Sequence, residues 1–132
     1  MDIFNEVNKI NLPVGEYAVV GGGVLAAYGL RKHNDVDFIV TPNLYKKLIT
    51  EGWTKDEKKD FVVRSGNYEA SLNFCYKNYK PNTLDLIKNA VFINNIPFIQ
   101  LTELLKFKKE LGRDKDKMDI KLINSYLMVN VN

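Results

Sequence analysis

Residues 17–40 read YAVVGGGVLAAYGLRKHNDVDFIV, a stretch that decides how the chain folds around its most informative side chains. An apolar run ends at Gly21–Gly23, where a backbone without side chains allows a phosphate to approach closely. Asp35 and Asp37 follow in a run rich in β-formers, with one apolar residue between them. Alternate side chains of a strand share a face, so we expect both carboxylates to emerge together.

The two aspartates point to a metal site. On a strand their Cα atoms would be roughly 6.6 Å apart, and their carboxylates can lean together onto one or two ions. An isolated Asp-x-Asp pair is usually a pair of exposed strand residues. Aspartate disfavours strands, however, so two of them in one apolar strand after a glycine turn call for a compensating reason. Mg²⁺, which prefers carboxylate oxygens and keeps coordination positions for phosphates, provides one.

Length and composition indicate a single globular domain spanning residues 1–132. Apolar residues make up 45% of the chain, which is close to the globular average. No apolar run approaches the ~18 residues of a membrane span, and the N-terminus MDIFNEVNKI lacks a signal-peptide pattern. We therefore expect a cytoplasmic protein with no membrane partner. The single cysteine, Cys75, is predicted to be a packed core thiol.

The net charge of +3, from 19 basic and 16 acidic residues, is too mild to indicate nucleic-acid binding by itself. Basic residues cluster in residues 46–59 and 77–80, with aromatic residues nearby. A solvated surface explains these clusters at least as well as a nucleic-acid groove does. Tyr45 and Trp53 are predicted to be core or cleft-wall residues.

Periodicity and turn residues predict an α+β fold with a mixed β-sheet flanked by helices and a C-terminal helix pair. The expected helices cover residues 2–10, 22–30, 42–51 with Thr41 as N-cap, 103–111 with Thr102 as N-cap, and a last helix from residue 114. The expected strands cover residues 16–20, 34–40, 61–65, 70–76 and 83–87, with two short extended pieces in 91–99.

A dinucleotide site of the Rossmann type is the first alternative for the glycine turn. Gly21, Gly23 and Ala26 fit G-x-G-x-x-A after a strand and before a helix. The predicted helix is too short for the crossover, the second strand lacks an acid at its far end, and the chain is too short for a six-stranded doubly wound sheet. A Walker A loop is excluded because no Gly-Lys-Ser/Thr follows the glycines.

Residues 21–40 resemble the signature of the DNA polymerase beta-like nucleotidyltransferase superfamily: Gly-Gly, a short helix, a Gly and an Arg, then Asp-x-Asp. The spacing is most similar to small prokaryotic nucleotidyltransferase-like proteins, including toxin-type members related to abortive-infection systems. Residues 96–123 (IPFIQLTELLKFKKELGRDKDKMDIKLI) add to the resemblance, because such proteins often end with a Leu-rich helix, a Lys, Gly-Arg-x-Lys-Asp and Asp-Ile. Together the two segments cover roughly a third of the chain.

The resemblance implies roles for particular residues. Two aspartates, Asp35 and Asp37, would hold two Mg²⁺ (or Mn²⁺) ions, and a third carboxylate would lie on a later strand. Asp85, in the apolar context Leu84-Asp85-Leu86, is the clean candidate, with a turn-capping residue as its structural alternative. The predicted catalytic and metal-binding residues are Asp35, Asp37 and Asp85, and the predicted nucleotide-binding residues are Gly21, Gly22, Gly23 and Arg31.

For several side chains the sequence allows two roles. Arg31 is placed to contact phosphate or to end a helix favourably. His33 fits a turn or supporting role better than a catalytic one. Residues 112–116 with Asp119 predict a helix corner held by ion pairs; the sharper alternative has Lys108, Arg113 or Lys115 reaching the nucleotide.

The implied function is metal-dependent transfer of a nucleoside monophosphate from a nucleoside triphosphate to an acceptor hydroxyl, with release of pyrophosphate. RNA (tRNA especially), a protein side chain and a small molecule are all open as acceptors. We expect the acceptor to be held by the hairpin region of residues 53–80, by the second subunit of a homodimer or by a protein partner. The alternative is a non-catalytic nucleotide- or partner-binding module of a regulatory or toxin–antitoxin system.

Overall fold

The computed structural model describes residues 2–130, which form one mixed sheet of seven strands with six helices around it. In chain order the elements are α1 (Ile3–Ile10), β1 (Tyr17–Val20), α2 (Gly22–Ala27), β2 (Val36–Val40), α3 (Pro42–Thr50), β3 (Thr54–Lys55), β4 (Val62–Ser65), β5 (Tyr68–Ser71), α4 (Thr83–Lys88), β6 (Val91–Ile93), β7 (Ile96–Phe98), α5 (Leu101–Leu111) and α6 (Asp114–Val129). The strand order is β3-β4-β5-β2-β1-β7-β6. The predicted α+β class with a C-terminal helix pair is confirmed.

Strands β1 and β2 form the centre of the sheet. Every residue of β1 is buried, and Phe38 and Ile39, on opposite faces of β2, are both fully buried. Helices therefore cover both faces, which explains why these two strands read as continuous apolar runs. The two strands pair antiparallel. A Rossmann unit requires parallel strands joined by a crossover helix, so the dinucleotide alternative is excluded.

The register of the sheet sets a row of side chains across four strands. Antiparallel pairing places Val20 of β1 opposite Asp37 of β2, and parallel pairing places Asp37 beside Glu69 of β5. Antiparallel pairing of β4 with β5 then places Arg64 opposite Glu69. Because paired residues project from the same face, the row runs Arg64, Glu69, Asp37, Val20. Gly21 directly follows the last member of this row.

Two hairpins are present: one joins the strands predicted over residues 61–65 and 70–76, and the other joins the two short extended pieces predicted in 91–99. The β4–β5 turn uses Gly66, whose φ of 57° is in the left-handed region that glycine adopts at low cost. In the β6–β7 turn, Asn94 and Asn95 have φ values of 50° and 66°. Positive φ at both central residues gives the tight turn that matches the twist of two paired strands.

Most helix ends follow the sequence signals. Thr41 caps α3, since its Oγ1 accepts a hydrogen bond from Leu44 N at 3.2 Å. Gly112 ends α5 in the left-handed region. Helix α1 buries Ile3 and Val7 as the predicted apolar stripe requires. In contrast, α5 begins at Leu101, so the predicted cap at Thr102 is wrong.

The predicted strand over residues 83–87 is wrong, because this segment is helix α4. The side chain of Asn82 accepts a hydrogen bond from Asp85 N and starts the helix. Leu86 and Ile87 are buried on the helix face that meets the core. A short apolar run of this length fits a strand or a helix turn equally well in sequence, and the Asn82 cap decides it here.

Cys75 is exposed, so its predicted place in the core is wrong. Strand β5 ends at Ser71 rather than continuing to residue 76. The Ser71 hydroxyl donates to Asn73 O at 2.7 Å and accepts from Asn73 N, which turns the chain away from the sheet. Thr83 fixes the far end of this loop by donating to Leu72 O.

Helix α6 packs through Ile123, which is fully buried, while the predicted stripe member Met118 is 61% exposed. The ring of Tyr126 meets that of Tyr28 edge-on at 5.0 Å, which places the C-terminal end of α6 over the end of α2. Among residues 2–130, no helix has both the length and the apolar composition needed to cross a membrane.

Candidate functional site

A cavity of about 670 Å³ opens between the sheet and the C-terminal helix pair. Three carboxylates line it from the sheet side, namely Asp35, Asp37 and Glu69. We call these three residues the acidic wall. Five cations line it from the α2–β2 loop and the helix pair: Lys32, and the four residues Arg31, Lys108, Arg113 and Lys115. We call these four residues the basic wall.

The acidic wall is assembled by the register of β2. Asp37 is partly buried within β2, and exposed Asp35 lies just before the strand. Glu69 is the parallel-strand neighbour of Asp37, so its carboxylate lies on the same face. The structure thus brings together the two predicted aspartates and one glutamate that the sequence did not single out. Only the β2–β5 pairing reveals Glu69, because 31 residues separate it from Asp37 and no motif joins them.

The charges of the acidic wall are incompletely balanced. Burial, followed by the charge and the hydrogen bond of Glu69 and the charge of Asp35, raises the pKa of Asp37 from 3.8 to about 7. Arg64 opposes this rise, but its guanidinium is shared between Glu69, 2.7 Å away, and Asp56. At neutral pH the wall therefore binds a proton readily, and a cation placed there would relieve the same repulsion.

A side chain is disfavoured at each glycine of the turn for a different physical reason. Gly21 has a φ of 68°, and a Cβ at this position would lie 3.0 Å from Oδ2 of Asp37. A Cβ at Gly22 would lie 3.2 Å from Cβ of His33 and 3.7 Å from Nη2 of Arg31. Gly21 and Gly22 both line the cavity, so they stay candidates for ligand contact.

Gly23, predicted to bind nucleotide, is buried and does not line the cavity. A Cβ there would lie 2.9 Å from Cγ1 of Val19 and 3.0 Å from Cδ1 of Ile3. Its missing side chain is required for the close packing of α1 against β1 and α2, not for access to a ligand.

The basic wall is held from behind by two aspartates of α6. Arg31 donates to Asp119 through Nε at 2.7 Å and through Nη2 at 3.0 Å. Lys108 Nζ lies 3.3 Å from Asp116 Oδ1 and 3.0 Å from Asp119 Oδ2. Arg113 donates to both oxygens of Asp116. The predicted corner of ion pairs is present, and Arg31 joins it from the loop before β2.

Asp116 and Asp119 are almost fully buried, yet both stay ionised. Hydrogen bonds from Arg113, aided by Lys108, lower the pKa of Asp116 to about 2 despite burial. Burial alone raises the pKa of Asp119, but hydrogen bonds from Arg31 and Lys108 outweigh it and hold that pKa below its ordinary value.

His33 is a buried polar residue in the cavity lining. Its Nδ1 lies 2.6 Å from Asp35 O, and a carbonyl only accepts, so Nδ1 carries the proton and donates. In the neutral ring Nε2 is then an acceptor, and it is buried with no partner among the described residues. The contact fixes the segment that carries Asp35, which agrees with the supporting role predicted for His33.

Asp85 does not join the acidic wall. It lies in α4 and lines a separate cavity of about 260 Å³ with Pro81, Asn82 and Glu103 among its neighbours. The expectation that Asp85 shares neighbouring strands with Asp35 and Asp37 is wrong, because residues 83–88 are helical. Glu69 occupies the position on an adjacent strand that was expected of Asp85.

The acidic wall fits a divalent cation by its chemistry. Carboxylate oxygens are the ligands that Mg²⁺ prefers, and burial, together with the charges of Glu69 and Asp35, raises the pKa of Asp37, so a cation would stabilise its ionised form. No three His, Cys, Asp or Glu side chains within residues 2–130 form a closed metal-binding group as they stand. Binding would therefore require side-chain rotation, for which exposed Asp35 is free.

Comparison with protein-family models gives no match to this chain, and comparison with curated proteins finds no significant similarity. The features that bear on function are the geometry of the two walls and the residue pattern of the glycine turn and β2.

Proposed function

We propose that the protein is a metal-dependent nucleotidyltransferase that moves a nucleoside monophosphate from a nucleoside triphosphate to an acceptor hydroxyl. The observation that carries the proposal is the meeting of Asp35, Asp37 and Glu69 beside the Gly21 turn in one cavity. Phosphoryl transfer is catalysed mainly by positioning and by charge stabilisation, and such a cavity provides both. Its volume falls within the range of small-molecule and cofactor sites.

Asp35, Asp37 and Glu69 would hold two Mg²⁺ or Mn²⁺ ions, which supply positive charge for the attacking hydroxyl and the departing pyrophosphate. The acceptor oxygen forms a bond to the α-phosphorus, and the bond between that phosphorus and the oxygen bridging to the β-phosphate breaks. Pyrophosphate leaves with the bridging oxygen. Glu69 Oε1 already accepts from Arg64, so the hydroxyl proton would pass to another carboxylate oxygen of the acidic wall.

Gly21 and His33 would have different roles in the proposed site. Gly21 brings the backbone against Asp37 Oδ2, so a phosphate beside the turn would also lie beside the carboxylates. His33 holds Asp35 O and so fixes where the acidic wall begins. Together these contacts would orient the nucleotide before the acceptor arrives, which is the main source of rate in such reactions.

The test is transfer of label from α-labelled nucleoside triphosphates, with Mg²⁺, to total RNA, to protein or to small-molecule extracts. Asp37→Asn and Glu69→Gln should each reduce transfer by at least about 10²-fold, because each removes charge that acts on the transition state. Asp85→Asn is the matched control: it is also a carboxylate-to-amide change, but outside the cavity, and should keep near-wild-type transfer. Circular dichroism confirms that each variant is folded.

Loss of transfer in Asp85→Asn equal to that in Glu69→Gln would contradict the assignment of Glu69. If the wild type binds nucleotide but labels no acceptor with any of the four nucleotides, the activity is absent and a non-catalytic nucleotide-binding module is supported instead. Copurification with one protein partner under the same conditions would support the partner-binding version of that module.

A further inference from the structure

Strand β6 forms one of the two edges of the sheet, and it is apolar. Its residues are Val91, Phe92 and Ile93. The side chains of Val91 and Phe92 are 38% and 56% exposed, and they project from opposite faces of the sheet. The next strand, β7, is buried along its whole length. The cover over both faces of the sheet therefore ends between β7 and β6, and apolar surface is left on each face of the edge.

The opposite edge of the sheet, β3, has a different character. It consists of Thr54 and Lys55, both exposed, and residues 56–60 that follow it are all charged. Short strands and charged side chains are the usual means by which a protein prevents a sheet edge from pairing with another chain. Strand β6 is also short, but residues 89–95 include no charged side chain. Only the β3 edge is therefore protected by charge.

The register of β6 on β7 decides which backbone groups face outwards. Phe92 lies opposite Pro97, and proline has no N–H. These two residues therefore cannot exchange two hydrogen bonds, so they form a non-hydrogen-bonded pair of the antiparallel ladder. In such a pair the N–H and C=O of each residue point away from the other strand. Both backbone groups of Phe92 thus point out of the sheet, and neither has a hydrogen-bond partner among residues 2–130.

We infer that β6 pairs with β6 of a second copy of this chain, antiparallel about a two-fold axis that passes beside Phe92. With Phe92 opposite Phe92 of the second copy, each residue donates its N–H to the C=O of the other. Val91 then lies opposite Ile93 of the second copy, so apolar side chains meet on both faces of the joined sheet. The inference does not rest on the proposed function, because no residue of 91–98 lines the cavity.

Charge and symmetry favour a second copy in this orientation. Parallel pairing would bring exposed Lys88 beside Lys88 of the other copy, whereas antiparallel pairing brings it towards the uncharged end of the other strand. The pair uses both β6 edges and leaves only the charged β3 edges at the ends of the joined sheet, so the assembly closes as a dimer. A three-residue strand is small against the roughly 800 Å² per partner of a standard interface, so we expect a weak, concentration-dependent dimer.

Sedimentation velocity of the full chain over a wide range of concentrations tests the inference. The wild type should pass from monomer to dimer and no further. Phe92→Lys should remain a monomer throughout, because like charges would face each other across the axis. Met118→Lys is the matched control, since Met118 is 61% exposed on α6, outside the sheet, and the change should leave dimerisation as in the wild type. Circular dichroism checks that each variant is folded.

A second pair of variants separates backbone pairing from apolar contact. Phe92→Val keeps the N–H and a strand-forming side chain, whereas Phe92→Pro removes the N–H at an edge position where the monomer tolerates proline. Phe92→Pro should dimerise at least about tenfold more weakly than Phe92→Val, because symmetry removes two hydrogen bonds. If Phe92→Pro does not fold, Phe92→Lys compared with Met118→Lys decides. Equal dimerisation of the Pro and Val variants, a monomeric wild type, loss of the dimer in Met118→Lys, or growth beyond a dimer would each overturn the inference.

Discussion

Asp37 lines the cavity and Asp116 lies behind its basic wall, and the pKa values of the two carboxyl groups are shifted in opposite directions. Asp116 is the more deeply buried of the two, yet its pKa is lowered to about 2, while that of Asp37 is raised to about 7. Burial raises both pKa values, so the difference comes from the neighbours. Asp116 receives hydrogen bonds from Arg113 and Lys108, whereas Asp37 lies between two other carboxylates. In this fold the charged side chains of the helix corner have ion-pair partners, whereas the charge of the carboxylates on the sheet is incompletely balanced.

The difference also separates structural charges from candidate functional ones. A carboxylate with its partners in place has no further need of a ligand. A carboxylate crowded by like charges is less stable in its ionised form until a proton or a cation arrives. By this criterion the acidic wall is the candidate for binding a ligand, and the aspartates behind the basic wall have a structural role.

The largest expected effect is the loss of stability on removing a carboxylate from the ion pairs of the helix corner. Asp116→Ala removes one of the two anchors of Lys108 and both acceptors of Arg113, leaving buried positive charge with fewer partners. The free energy of unfolding should fall by about 3–5 kcal/mol. Urea denaturation at pH 7 measures it. Asp114→Asn, on the same helix with a fully exposed side chain, should change it by less than about 0.5 kcal/mol. Equal effects would mean that the buried network is not what holds the corner.

A second prediction concerns how the acidic wall makes the free energy of unfolding depend on pH. Asp37 has a folded-state pKa of about 7 against an ordinary value of 3.8, so the unfolded chain releases its proton at lower pH than the native protein does. The associated stability is fully present below about pH 4 and is lost as the pH rises through about 7. Without divalent cations, the free energy of unfolding should therefore fall between pH 5 and 8, on the order of 2–3 kcal/mol. Asp37→Asn should flatten this part of the profile. A wild-type profile that rises over the same window would contradict the crowding of the acidic wall.

The smallest effect expected is stabilisation by metal. Mg²⁺ should bind the native acidic wall and not the unfolded chain, and at ten times its dissociation constant it would add about 1.4 kcal/mol. Thermal melts at pH 8 with and without Mg²⁺ measure the shift. Glu69→Gln should lose it and Asp85→Asn should keep it, because only Glu69 lies beside Asp37. A shift that survives in Glu69→Gln would place the cation elsewhere.

The local features of the fold follow closely from the sequence. The apolar runs of β1 and β2, the Gly66 turn, the Thr41 cap and the Gly112 helix end all depend on neighbouring residues, and all are as predicted. The errors fall where a short apolar run supports two structures. Residues 83–87 form a helix because Asn82 caps it, and β5 stops at Ser71 because the Ser71 hydroxyl hydrogen-bonds with the backbone of Asn73.

The sequence by itself determined that Asp35 and Asp37 stand at the start of a central strand behind a glycine turn, since the i, i+2 rule and the turn residues are local. Only the tertiary structure decided which other charged side chains lie near these two aspartates. Glu69 reaches Asp37 through the β2–β5 pairing, and Arg31 reaches Asp119 across 88 residues of chain. Sheet order and helix packing bring such residues together by burying apolar faces. The hydrophobic effect is non-directional and does not depend on which charged residues it brings together. No local sequence pattern therefore predicts these contacts.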